Sequence, residues 1–230
     1  MKKYGFFSQF LILGGAWGLA SQALAEETLF ELVPNANGAT GIEFKIGYTL
    51  GTHKGVALKA SGLVEVSTEN SQLALKSTSI KVPISSIRTG AELRDCHLQE
   101  AMGINYSISD YPSQHVCTGN QLPASGNNAV VYPTIDFSLV SAQISGSPTH
   151  LEPGKTFQVS ALGNWTIHGI SKQQPIALTL NPQEDGRVFV TGNTSFNLKD
   201  FNVVVIPWAG LIKVKDTALV ELNLVFTPKP

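Results

Sequence analysis

Few side chains in this chain could do chemistry. The candidates are His53, His97, His115 and His168, with Arg94 and Asp95 close to His97. Asp95 and His97 are two residues apart, so on a helix they face different sides. A metal pair asks for a spacing of three or four. His115 would have to join them across the intervening chain to make a His/His/Asp site. Arg94 and Asp95 fit better as structural hydrogen bonds or an ion pair pinning a helix. His168 precedes Gly169 in a turn and reads as structural. No G-x-S-x-G, H-E-x-x-H, P-loop or dinucleotide fingerprint is present. The acids are scattered, so their spacing defines no carboxylate pair. The inventory points away from an enzyme, with no metal and no cofactor expected. A metal-assisted enzyme using His97 and His115 is the chemical alternative.

Cys96 and Cys117 are the two cysteines. An even count in an exported protein reads as a disulfide, and closing a loop of that length contributes roughly 3 kcal/mol. Two buried free thiols are the alternative; a catalytic thiol lacks a surrounding motif. Export itself is read from the N-terminus. Lys2 and Lys3 precede a largely apolar stretch over 6–19, and Ala23-Leu24-Ala25 offers a small-residue cleavage site before Glu26. Residues 1–25 are therefore expected to be a cleaved signal and residues 26–230 one mature domain. A retained anchor would need a longer apolar run, roughly 20 residues. Without Lys2 and Lys3 the 16 basic side chains become 14 against 17 acidic, a net charge near −3. That balance excludes the basic stripe of a nucleic-acid binder.

The elements that must position these residues read as strands. Residues 28–33 form a short one. Ile42, Phe44, Ile46, Tyr48 and Leu50 then alternate with polar or small residues, the period-two mark of a half-buried strand. Residues 51–55 read as a turn, and 56–66 as one strand. The next runs from about Leu73 to Ile84, and its inward parity must switch, which a bulge at 77–79 would do. Thr89 to Glu92 fits a capping box opening a short helix. Residues 103–130 are irregular, long enough to need a function or a tie. Alternation returns with Ile135, Phe137 and Leu139, then with Phe157, Val159, Ala161, Gly163, Trp165 and Ile167. Ile176, Leu178 and Leu180 follow. A strand over 187–198, including Phe196, is weakened by Gly192, and 200–215 suggests a crossing loop. Val220, Leu222, Leu224 and Phe226 make the last strand. Eight or nine strands with short turns predict an all-β barrel or sandwich. Long alternating strands favour the barrel, which has no exposed edge.

Several blocks resemble one family. Thr89-Gly90 followed by Arg94-Asp95-Cys96-His97-Leu98 resembles the T-G-x-x-x-R-D-x-H-L run of the YceI-like proteins. Tyr132-Pro133-Thr134-Ile135-Asp136-Phe137 resembles their Y-P-x-I-x-F strand. The run from Leu162 through Trp165, Ile167, His168, Gly169 and Ile170 to Lys172 is similar to their G-x-L-T-I-H-G-V-T-K strand and turn. Phe196 to Phe201 looks like their F-x-I-x-R-x-D-F segment, with Lys199 near the basic position. Roughly 25 residues beyond the family pattern separate the first two blocks.

The resemblance implies an antiparallel eight-stranded lipocalin-like β-barrel with one short helix after the fourth strand; beyond the family pattern, the two cysteines add a long loop tied by Cys96 and Cys117. The resemblance also implies a periplasmic carrier that holds a polyisoprenoid or similar long-chain lipid, of quinone or polyprenyl type, in an apolar interior. The candidate lining residues are Phe44, Ile46, Tyr48, Phe137, Leu139, Trp165, Ile167, Phe196, Leu222 and Leu224. Arg94, His97 and Lys199 are the headgroup candidates. Family analogy also allows a homodimer and a membrane-associated lipid donor or acceptor. Small barrels otherwise fill their interior with side chains. The alternative is therefore a structural or interaction protein with a filled core, acting through the 103–130 loop.

Overall fold

The computed structural model describes residues 27–69, 71–104, 132–205 and 213–230. The first half of the chain forms interrupted strand segments: β1 (Glu27–Val33), β2 (Ile42–Tyr48), β3 (Gly51–Ala57), β4 (Ser61–Glu69), β5 (Gln72–Pro83) and the two-residue β6 (Ile87–Arg88). Helix α1 (Glu92–Ala101) follows. The second half forms unbroken strands: β7 (Thr134–Ile144), β8 (Phe157–Ile167), β9 (Ile170–Pro182), β10 (Val188–Asn197) and β11 (Val214–Pro228).

The interrupted segments pair end to end. β1 and β2 both run antiparallel to β11, with Val33 opposite Val225 and Ile42 opposite Leu222. β4 lies on β1 and β3 on β2. β5 lies on β4 and β6 on β3. Six segments thus make three staves, and β7 to β11 make five more. The ladder runs on from β5 through β7, β8, β9, β10 and β11, and closes from β11 onto β1. The result is a closed, antiparallel, up-and-down barrel of eight staves, in which each stave pairs with its sequence neighbour. Closure removes the edges that would otherwise invite pairing with another chain.

Alternation decides which side chains face in. In β8, Phe157, Val159, Ala161, Gly163, Trp165 and Ile167 are all buried, in the phase the sequence predicts. Two bulges switch the phase elsewhere. Glu65 faces Ser77 but Val66 faces Leu75, so Lys76 is the extra residue. The required parity switch therefore comes just before the expected 77–79. In β7, Leu139 faces Gly163 and Ser141 faces Leu162, which leaves Val140 bulged and exposed.

Other expectations need correction. Residues 51–55 belong to β3 and are not a turn: Gly51 already pairs with Tyr48. The predicted strand 56–66 breaks between Ala57 and Ser61. Thr89 does not cap α1, whose first position is flanked by Ala91 with no side-chain cap. The Thr89 amide and hydroxyl instead donate to Asp95 within the helix. The helix follows the third stave, because two strands counted separately, β1 and β2, share one. Residues 1–25, Cys117, His115 and nearly all of 103–130 lie outside the described residues, and with them the signal, the Cys96 partner and the loop.

Candidate functional site: an apolar cavity in the barrel

The inward side chains do not fill the barrel. They surround a cavity with about 210 Å³ of space open to the centre of a water molecule. One water needs about 10–15 Å³ by that measure, so the space is more than ten times larger. Every strand segment contributes to the lining, from Phe30 in β1 to Phe226 in β11, and among the described residues no charged side chain takes part. Among the described residues, Thr78 brings the one hydroxyl to the wall.

Of the predicted lining residues, Phe44, Ile46, Phe137, Leu139, Trp165, Ile167, Phe196, Leu222 and Leu224 face this space. Tyr48 does not. Although in phase with Ile46, it ends β2 and stacks flat on His53 of β3, with ring centroids 4.1 Å apart. Sequence alternation missed Leu98 of α1, Met102 just after it, Val203 and Val205 beyond β10, and Leu151 between β7 and β8, all of which line the cavity. None sits on a strand, so no period-two pattern could point to them. An aromatic group occupies the helix end of the wall: Trp165 lies 4.6 Å from Phe137 and 4.9 Å from Phe196, centroid to centroid.

Tyr132 holds α1 over this end. Its amide donates to the Gly103 carbonyl at 3.3 Å, and its ring meets His168 edge-on at 4.7 Å. A Cβ on Gly103 would lie 2.6 Å from the ring, and one on Gly169 2.3 Å. Both glycines also have positive φ, at 109° and 74°. Only glycine permits that backbone with an aromatic ring wedged so close. The wedge joins the helix C-terminus to the β8–β9 turn and directs Leu98 and Met102 inward.

Residues 126–226 match the family model of the YceI-like domain. No match was found among curated proteins. A polyisoprenoid-binding domain from Saccharophagus degradans superposes with a TM-score of 0.57 at 11% identity, over 87% of this chain and 98% of its own. BcnA of Burkholderia cenocepacia superposes at 0.54 with 15% identity, over 80% of this chain and 94% of its own. Identities this low establish the shared fold.

The YceI-like match begins after the helix, so the Thr89–Leu98 motif lies outside it. Its geometry is that of a clamp. Arg94 donates from Nε to Thr89 Oγ1 at 2.8 Å and from Nη2 to the Thr89 carbonyl at 2.9 Å. Its Nη1 lies 3.2 Å from His53 Nδ1. Guanidinium can only donate, so Nδ1 accepts and the ring is neutral. Burial, then the Arg94 charge, holds His53 below the ordinary imidazole range. Asp95, buried, accepts from Thr89, with Arg88 Nε 4.0 Å away. Gln99 adds a buried bond to the Ile87 carbonyl at 3.1 Å.

Among the headgroup candidates, Arg94 is thus engaged in pinning helix to barrel. His97 is half-buried on the same helix. Lys199 is an exposed residue paired with Asp216 at 2.8 Å. None of the three lines the cavity. Among the described residues, no three His, Cys, Asp or Glu side chains gather where a metal ion could be held.

Proposed function

We propose that this YceI-like barrel is a binding protein for a long, apolar, isoprenoid-type chain, taken up in its cavity. The observation that carries this reading is the unfilled interior, walled by apolar side chains from every stave. An empty apolar void leaves its wall without dispersion partners. A hydrocarbon chain supplies them and leaves water, gaining about 0.8 kcal/mol per buried methylene. The polyisoprenoid-binding description of the Saccharophagus domain, which shares the fold, supports the same ligand class. A filled-core interaction protein would have no such space.

The role we infer is carriage or sequestration and not catalysis. Of the groups best suited to chemistry, Arg94 is tied to His53 and Thr89 and Asp95 to Thr89, and none of them lines the cavity. The N-terminal pattern of residues 1–25 supports export and a periplasmic site of action, where the partner would be a membrane-associated lipid donor or acceptor. Native mass spectrometry of protein purified from its own periplasm, followed by organic extraction, tests the reading. A co-purifying isoprenoid of defined mass is expected. An apo mass with no uptake of added quinone or polyprenyl phosphate would overturn it.

A further inference from the structure

We infer that the ligand passes into the cavity through the barrel's side, at a slit between β9 and β10 that the Gln174 side chain latches. The inference rests on the lipid-binding reading and adds a route to it. The barrel closes, but this seam is laced over only part of its length. Val188 to Asn193 pair with Pro182 to Ala177. Beyond that, among the described residues, Ile170 to Ile176 pair only with β8 and Thr194 to Asn197 only with β11. Continuing the register would set Pro175 opposite Ser195. Proline has no N–H to give, so the ladder stops there. The Gln174 amide takes its place, donating from Nε2 to the Ser195 carbonyl at 2.5 Å and to Thr194 Oγ1 at 2.7 Å.

The phase of the side chains shows that the wall parts here. Gln174 shares the inward phase of Ile176 and Leu178 in β9, and Thr194 that of Val190 and Phe196 in β10. Yet neither lines the cavity; both line a hollow on the barrel's outer side. Ile176, Val220 and Leu222 border both spaces. At this point side chains, and not a hydrogen-bonded ladder, separate the hollow from the cavity. Gly192 sits at the fork. A Cβ there would lie 2.8 Å from the Ala177 carbonyl oxygen, so the strands close tightly just before they part. Opening the slit breaks the bonds of one half-buried amide, and water in the hollow replaces them. Opening a fully laced seam would break a run of backbone bonds at once.

The test follows N-phenyl-1-naphthylamine, an apolar dye that fluoresces on leaving water, by stopped flow. A door adds to the same barrier from both sides, so altering it changes uptake and release alike. Gln174→Ala should speed both about tenfold, the worth of the lost neutral hydrogen bonds, and leave the dissociation constant within about twofold. Pro175→Val supplies the missing N–H to Ser195 and should slow both about 3- to 10-fold. Unchanged rates in both variants would overturn the inference and leave the lipid reading intact, with entry at the barrel's end beside α1. An affinity loss carried by release alone would make Gln174 a ligand contact and overturn the inference as well. A wild-type protein that takes up no dye would overturn both. The two variants act in opposite directions, so Pro175→Val decides the matter even if Gln174→Ala folds poorly.

Discussion

The two halves of the barrel wall are built differently. From β7 to β11 each stave is one unbroken strand, and inward residues alternate with few interruptions. From β1 to β6 each stave is cut in two, over 34–41, 58–60 and 84–86. The cuts lie side by side and are laced across. Leu58 N donates to the Ser86 carbonyl at 3.0 Å, and Ser86 Oγ to the Lys59 carbonyl at 3.2 Å. Thr40 Oγ1 donates to the Ala57 carbonyl, and Asn223 N reaches back to Gly41 O at 2.7 Å. Beyond the cuts, Ala57, Val82 and Ile87 form a small core of their own, with Leu98 packed on it. The regular half makes a tube. The broken half interrupts the ladder, and so gives the helix a place to dock beside the tube's end.

If the cuts are what separate the halves, the largest effect should come from Gly41. Its φ is 76°, and a Cβ there would lie 1.8 Å from the Asn223 carbonyl oxygen. Backbone cannot step aside as a side chain can, so Gly41→Ala is expected to lose about 3 kcal/mol in denaturant unfolding. Next comes the clamp. Asp95→Ala leaves the Thr89 amide without its carboxylate and should cost about 2 kcal/mol by the same measurement. Proteolysis near α1 should rise while the far strands stay protected in hydrogen exchange.

The regular half should be more forgiving. A Cβ on Gly163 would meet the Phe137 ring at 2.0 Å, but that ring borders open space and can move into it. Gly163→Ala should cost only about 1 kcal/mol, yet reduce lipid uptake in a titration because the ring then occupies the cavity. The smallest effect is electrostatic. His53 is held below 6.5 in the fold, so on acidification the unfolded chain takes up its proton first. This contribution to stability is complete above pH 6.5 and declines as pH falls below it. His53→Gln should flatten the slope of melting temperature against pH between 7.5 and 5.5.

Much of this contrast was legible beforehand, for a physical reason. In the regular half the side-chain period is two and the register stays uninterrupted, so the phase of β8 could be read residue by residue. In the broken half, pattern and pairing part company. Val56 to Val66 looks like one strand because apolar spacing survives the kink at 58–60. Gly51 to Gly55 looks like a turn because glycine marks turns as well as close approaches. Gly55 is of the second kind: a Cβ there would strike Phe44 at 2.2 Å. Thr89 and Glu92 have the spacing of a capping box, but Asp95 lies within reach of Thr89 and outcompetes it.

The sequence by itself determined the inward residues of the long strands and the placing of a helix between two blocks of sheet, because period and turn chemistry are local. It also showed how sparse the reactive side chains are. Tertiary structure decided three things that depend on residues far apart in the chain. Two strands share one stave because both find β11. Tyr48 leaves the interior because His53 stacks on it. The interior stays open because the barrel's circumference exceeds what its side chains can fill.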